Sequence, residues 1–224
     1  MDVLLPDQRI FLAVAPPRRR RDRVDWDAER RPIDTIVVHH AASVGDLSPA
    51  ELSQIGLERI YAPLFEKGND DPFVPPGSAP YSGHFIQLAG EVVETFASYH
   101  STIRLEGVRV NLLLTSAVGW HAGDWDINCS SLGLCLLGNY EETEPSSAVL
   151  SGAAWQITRW CVEFPSIRYL VGHREVRKIG PTVCPGDWYY RDGRERLIRL
   201  ASEAAGRPLN FLPHPAAVRP GLSE

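Results

Sequence analysis

Long apolar runs are missing from this chain: none approaches the roughly 20 residues needed to span a bilayer, so no membrane span is expected. Basic charge is not in excess either. Twenty-three Lys and Arg against 28 Asp and Glu leave a formal net charge of −5, which gives no electrostatic case for binding nucleic acid or an anionic membrane. Cysteine is scarce: Cys129, Cys135, Cys161 and Cys184 contain no CxxC pair and are too few for a disulfide framework. No internal repeat is visible. The N-terminal "MDVLLPDQRIFLAVAPPRRRRDR" carries its basic run after its apolar stretch, the reverse of a secretory signal. These absences together predict a protein made in a reducing cytoplasm, without a signal peptide.

What is present is ordinary in bulk and uneven along the chain. Apolar content of 44% and charged content of 23% suit a globular protein of 224 residues. Residues 1–32 are rich in Pro and Arg and read as an extension, with a short strand at "RIFLAV" and a solvated basic run at "RRRRDR". Residues 204–224 are Pro-rich and aperiodic, an extended tail. Between them, residues 33–203 read as one domain. "DTIVVHHAA" is a continuous β-branched run, the mark of a buried strand. In "SPAELSQIGLERIYAPLF" Ser48 caps a helix, Pro49 suits its first position and Glu51 completes a capping box. "SGHFIQLAGEVVETF" reads as two strands joined at Ala89-Gly90, "SLGLCLLGNY" as another buried strand, and "IRYLVGHREV" as the last. "PSSAVLSGAAWQITRWCVEF" and "RDGRERLIRLASEAA" read as helices, with Trp155, Trp160 and Cys161 in the core. The alternation predicts an α/β fold: a central mixed, mostly parallel sheet flanked by helices.

Two histidines stand at strand ends: His39 after "IVV" and His173 after "YLVG". Functional groups in open α/β sheets gather at such ends. Cys184, in "PTVCPGDW", is delivered by the loop after His173. Two imidazoles and a thiolate suit a tetrahedral zinc with one open position, as in catalytic sites. Spacing alone accommodates equally two satisfied histidines and a buried thiol.

The surrounding segments narrow this. "IVVHHAAS", "SGHFIQLAGEV", "VGWHAG", "SSLGLCLLGNY" and "VGHREV…PTVCPG" occur in the order of one family. Over about residues 33–190 the chain resembles the zinc-dependent N-acetylmuramoyl-L-alanine amidases of type 2, which share a fold with peptidoglycan recognition proteins and phage lysozyme-type amidases. The resemblance implies hydrolysis of the amide between N-acetylmuramic acid and L-alanine, with peptidoglycan as partner and Zn2+ as cofactor, in cell-wall lysis or remodelling. It makes His39, His173 and Cys184 the ligands; His40 is the rival for the first place, but consecutive strand residues point to opposite faces. Thr182 takes the place of a residue that steadies the oxyanion. Many relatives read "YHF" in the second strand, with the tyrosine near the metal; here "SGHF" puts Gly83 in that place, and Tyr81 is the substitute expected to return to the site. Cys135, where other relatives carry glutamate, reads as core. Trp120, His121, His84 and Asn139 are the substrate-binding candidates, with packing or a turn as the plain alternative for each. Glu175 reads as ordering its loop. The loop "EKGNDDPFVPPGSAP" (66–80) and the segment "SYHSTIRLEGVRVNLLLTSAV" look long for the family and read as specificity segments, an edge or a contact surface. Two other activities stay open: a peptidoglycan-binding module without chemistry, and an amidase with a different amide substrate.

Overall fold

Strand β1, Thr35–His40, is buried along its whole length, and everything else is arranged around it. In this computed structural model, which describes residues 26–61, 84–88, 91–178 and 180–215, β1 lies inside a five-stranded sheet. Its neighbours are β6 (Ser131–Leu136) and β7 (Tyr169–Gly172), both parallel to it. Beyond β6 come β4 (Ser101–Ile103), parallel, and β5 (Arg109–Asn111), antiparallel at the edge, so the order is β5-β4-β6-β1-β7. The strands β2 (His84–Leu88) and β3 (Glu91–Thr95) form a separate antiparallel pair. The expected α/β class with a mixed, mostly parallel sheet is what the chain adopts.

Among the described residues, five helices serve this sheet: α1 (Pro49–Gly56), α2 (Trp125–Ser130), α3 (Ser147–Glu163), α4 (His173–Val176) and α5 (Arg194–Ala205). Alternation along β1 and β6 sorts their side chains between two faces. Ile36, Val38, Leu132, Leu134 and Leu136 join Leu150, Ile157, Trp160 and Leu197 in the main core, beneath α3 and α5. Each such buried aliphatic side chain contributes on the order of 1.5–3 kcal/mol. Val37 and Val171 face the other way, with Ala122, Ile127 and Val176. Cys135 shares that side with Leu52, Leu112 and Leu137. The second face is covered by short elements and loops, and His39, His121 and His173 gather there.

Local signals explain most boundaries. Ser48 accepts from the Glu51 N–H and Glu51 caps back, so α1 starts as the capping box predicts. Regular helix stops at Gly56, and Leu57–Tyr61 continues as a wider turn. Ser146 caps α3 by accepting from Val149 N–H. Gly206 at φ 63 ends α5 in the left-handed region that glycine enters freely.

Several expectations are corrected. "SYHSTIRLEGVRV" supplies β4 and β5, strands of the central sheet; β5 is its edge, but β4 lies between β5 and β6. The turn between them closes with Arg104 N–H to Val108 O at 2.8 Å and Gly107 at φ 84. Trp155 is 45% exposed, not core, because the buried stripe of α3 runs through 149, 150, 153, 154, 156, 157, 160 and 161. Its ring instead carries the Arg109 guanidinium at 4.0 Å, a cation–π contact. The end of the N-terminal extension is tied to the domain: Arg30 donates to the carbonyls of Thr115 (3.0 Å), Asn128 (2.9 Å) and Ser131 (2.8 Å). The start of the tail also packs back, with Leu209 buried and Leu212 N–H donating to Arg168 O at 2.8 Å. The strand expected at "RIFLAV", the loop 66–80, Tyr81 and Gly83 lie outside the described residues. No helix among the described residues is long and apolar enough to cross a membrane.

Candidate metal centre

His39 closes β1 on the Val37 side of the sheet, because the two-residue period fixes its face. His40 therefore turns the other way, where its Nδ1 accepts from Tyr140 N–H at 3.0 Å. His173 opens α4 directly after β7, and Glu175 secures that turn by accepting from Gly172 N–H at 2.5 Å. The expected ordering role of Glu175 matches this contact. Cys184 is held by a braced loop. Arg174 N–H donates to Cys184 O at 3.0 Å, and the Arg174 side chain donates to Val183 O at 2.8 Å and Asp187 Oδ1 at 2.9 Å. Gly186, at φ 100, donates to Val183 O at 2.7 Å, and Trp188 Nε1 donates to Pro185 O at 2.8 Å.

These elements bring three donors together. One ligand atom each from His39, His173 and Cys184 lies within 4.8 Å of the others, and all three residues are buried. Cys184 Sγ stands 3.7 Å from His39 Nδ1. Zinc bonds of about 2.0–2.3 Å in a tetrahedron set donors roughly 3.3–3.8 Å apart, so this spacing fits. A backbone hydrogen bond with Ala122 holds the His173 ring, while its Nε2 is buried with no hydrogen-bond partner. Such an orphaned nitrogen is costly unless something ligates it.

Electrostatics point the same way. Burial drives His39 well below the ordinary imidazole value, with His173, His121, His40 and Arg177 adding to the effect. Burial, then Arg177, pushes His173 down to about 3. Both rings are thus neutral near pH 7, with a lone pair to give. Burial raises the Cys184 thiol to about 12, against opposing contributions from His40 N–H, Arg177 and Arg174. A cation in the site would favour the thiolate directly. His40 N–H already points at Cys184 Sγ, at 3.3 Å. Among the described residues this is the one cluster of three or more such donors with that proximity.

Among the described residues, Tyr99 is the tyrosine that meets His39. Its ring centroid is 5.0 Å from that of His39, and its phenol shares a hydrogen bond with the Cys135 thiol. Burial, then Cys135 and Cys184, raises the phenol well above its ordinary value, so it keeps its proton. Tyr99 stands just ahead of β4; Tyr81 and Gly83, the positions expected from the resemblance, lie outside the described residues.

The other candidates separate. Thr182 is partly exposed, and its Oγ1 accepts from Cys184 N–H at 3.2 Å, so the hydroxyl stands at the base of the loop with its proton available. His121 is buried behind His39, 3.1 Å from Nδ1 to His39 Nε2, and not on an open groove wall. His84 is buried in β2, with Nδ1 3.4 Å from Asp27 Oδ2. The Trp120 ring lies against Trp125, centroids 4.8 Å apart. Asn139 forms a turn: its Oδ1 accepts from Glu141 N–H at 3.0 Å, and its carbonyl from the Thr143 hydroxyl at 2.8 Å. Cys135 is fully buried, as core.

Comparison with known proteins bears on the family and the fold. The sequence profile described as N-acetylmuramoyl-L-alanine amidase matches residues 29–187. Among solved structures, the N-acetylmuramoyl-L-alanine amidase LysC from Clostridium intestinale URNW superposes with TM-score 0.52 at 19% identity, covering 77% of this chain and 88% of its own, which shows a common fold. The endolysin of a Thermus scotoductus bacteriophage gives TM-score 0.48 at 18% identity, over 74% and 85%. Drosophila peptidoglycan recognition protein SD gives 0.43 at 21%, over 81% and 86%. A search of curated proteins finds no match. With more than half of its length matched by that one profile, the chain belongs to the N-acetylmuramoyl-L-alanine amidase family.

Proposed function

We propose that this chain is a zinc-dependent amidase that hydrolyses the bond between N-acetylmuramic acid and L-alanine in peptidoglycan. The observation that carries the reading is the complete donor set: His39, His173 and Cys184, all buried, within 4.8 Å of one another. A fold kept only for binding has no need of a buried imidazole nitrogen without a partner beside a buried thiol. When bound there, zinc supplies Lewis acidity and lowers the pKa of water toward about 7.

The chain's own groups account for the rest. Hydrolysis adds a hydroxyl to the lactyl carbonyl carbon and a proton to the alanine nitrogen, breaking the C–N bond. Tyr99 holds its proton at neutral pH and stands against His39, with its phenol bonded to Cys135; a swing of the hydroxyl away from Cys135 makes it a hydrogen-bond donor to the developing oxyanion or the leaving nitrogen. Thr182, whose hydroxyl oxygen already accepts from Cys184 N–H, is free to donate its proton toward the same oxyanion. One such donor is typically worth about 10²–10³ in rate.

The test is product analysis. Zinc-loaded protein incubated with purified peptidoglycan is expected to release new L-alanine amino termini without new reducing sugar ends, and chelation is expected to stop it. Wall binding with no release from zinc-loaded protein would overturn the reading in favour of a recognition module. Release only from other amides would overturn the substrate assignment.

A further inference from the structure

Two buried histidines, His100 and His121, lie outside the donor set with their ring centroids 5.8 Å apart. His100 is spoken for structurally: its Nδ1 accepts from Gly133 N–H at 3.0 Å, and its Nε2 donates to Ala117 O at 3.0 Å. His121 is different, because both its ring nitrogens face side chains. Nδ1 lies 3.1 Å from His39 Nε2, and Nε2 lies 3.3 Å from Ser131 Oγ. The other nitrogen of His39, Nδ1, faces Cys184 Sγ at 3.7 Å. Four side chains thus form one buried line, Cys184–His39–His121–Ser131.

The line has two possible polarities, and only one leaves His39 able to act as a ligand. A neutral imidazole carries one proton and one lone pair. If the proton sits on His39 Nε2, it is donated to His121 Nδ1, and the lone pair on His39 Nδ1 faces the sulfur. His121 then holds its own proton on Nε2 and donates it to the Ser131 hydroxyl. In the opposite polarity His39 Nδ1 is protonated and has nothing to offer.

We infer that His121 is a positioning residue for His39: it accepts the His39 Nε2 proton, backed by Ser131, and so holds His39 in the tautomer that presents Nδ1 beside Cys184. This rests on the metal reading proposed above. The surroundings are built for the purpose. Asn128 Oδ1 accepts from the backbone N–H of both His121 (3.1 Å) and Ala122 (2.8 Å), which fixes the segment. The His121 ring lies flat on β6 at Gly133, where a Cβ would meet it at 2.8 Å. Ser131 is fully buried, so water does not compete for the far end. Partners of this kind set the tautomer and orientation of metal-binding histidines, and their loss commonly costs about 10–100-fold in affinity.

The experiment has two arms. In metal-free protein labelled with ¹⁵N in its histidine rings, long-range ¹H–¹⁵N correlation is expected to show both His39 and His121 as Nε2–H tautomers. A His39 that carries its proton on Nδ1 overturns the inference. In the second arm, zinc affinity is measured by competition with a chelator. His121→Phe, which keeps the ring but has no acceptor, is expected to weaken binding about 10–100-fold; His121→Gln, which restores an acceptor, is expected to recover most of it. Equal affinity for wild type and a His121→Phe protein with an unchanged metal-free melting transition also overturns it. If His121→Phe does not fold, the tautomer measurement on wild type decides alone. Wild-type protein that takes up no zinc would overturn the metal reading instead, while the tautomer pair would still report on the relay.

Discussion

Tyr99 and the two adjacent histidines of β1 show how much rests on which way a single side chain faces. Tyr99→Phe removes a hydroxyl and leaves the ring against His39. The expected outcome is at least a tenfold loss of amidase rate, on the order of 1.4 kcal/mol, with zinc content unchanged; a fully active variant would remove Tyr99 from the chemistry. His39→Ala is expected to abolish zinc uptake. His40→Ala is expected to keep the metal but to lose roughly 1–3 kcal/mol in denaturant unfolding, since the buried Tyr140 N–H loses its acceptor; the reverse pattern would exchange the two roles. At this scale His39, His173 and Cys184 were legible, because each follows a recognisable strand or turn and the three stand in family order. Tyr99 was not. The strand it introduces has three residues, too few for alternation to register.

At the scale of elements, His100 does for the sheet what the donors do for the site. It joins the start of β4, the Gly133 N–H of β6 and the Ala117 carbonyl of the following loop. Burial, then Arg30, pushes it down to about 3. Its unfolded value is near 6.5, so between those limits the unfolded chain binds the extra proton. The stability that neutral His100 contributes is complete above about pH 6.5 and is lost as pH falls toward 3, at up to about 1.4 kcal/mol per pH unit. Gln can make both hydrogen bonds without titrating. Urea unfolding of metal-free His100→Gln at pH 4 to 6 is therefore expected to show a slope shallower by about that amount; an unchanged slope would mean that His100 does not titrate with unfolding. The long elements here were readable in advance. The Ser48 cap and the buried runs of β1 and β6 behave as their patterns imply. The short pairing of β4 with β5 depends on β6 beside it, a contact that no local window contains.

Across the whole molecule the sheet divides labour between its faces. One face carries the main core under α3 and α5; the other gathers His39, His121, His173 and Cys184 under short elements and braced loops. The class of fold follows from the alternation of strands and helices, which is why it could be read early. Which residues meet across the second face could not, because His121 reaches His39 only after the chain has passed through β4 and β5. The same distance effect misled at Trp155, whose neighbour is Arg109 of the edge strand rather than the core. The central claim is that this second face is a zinc site made by His39, His173 and Cys184. Zinc per chain, determined by elemental analysis after dialysis against trace zinc, tests it most directly. The account predicts about one zinc in the wild type and loss of most of it in Cys184→Ser; full zinc occupancy in Cys184→Ser would contradict it.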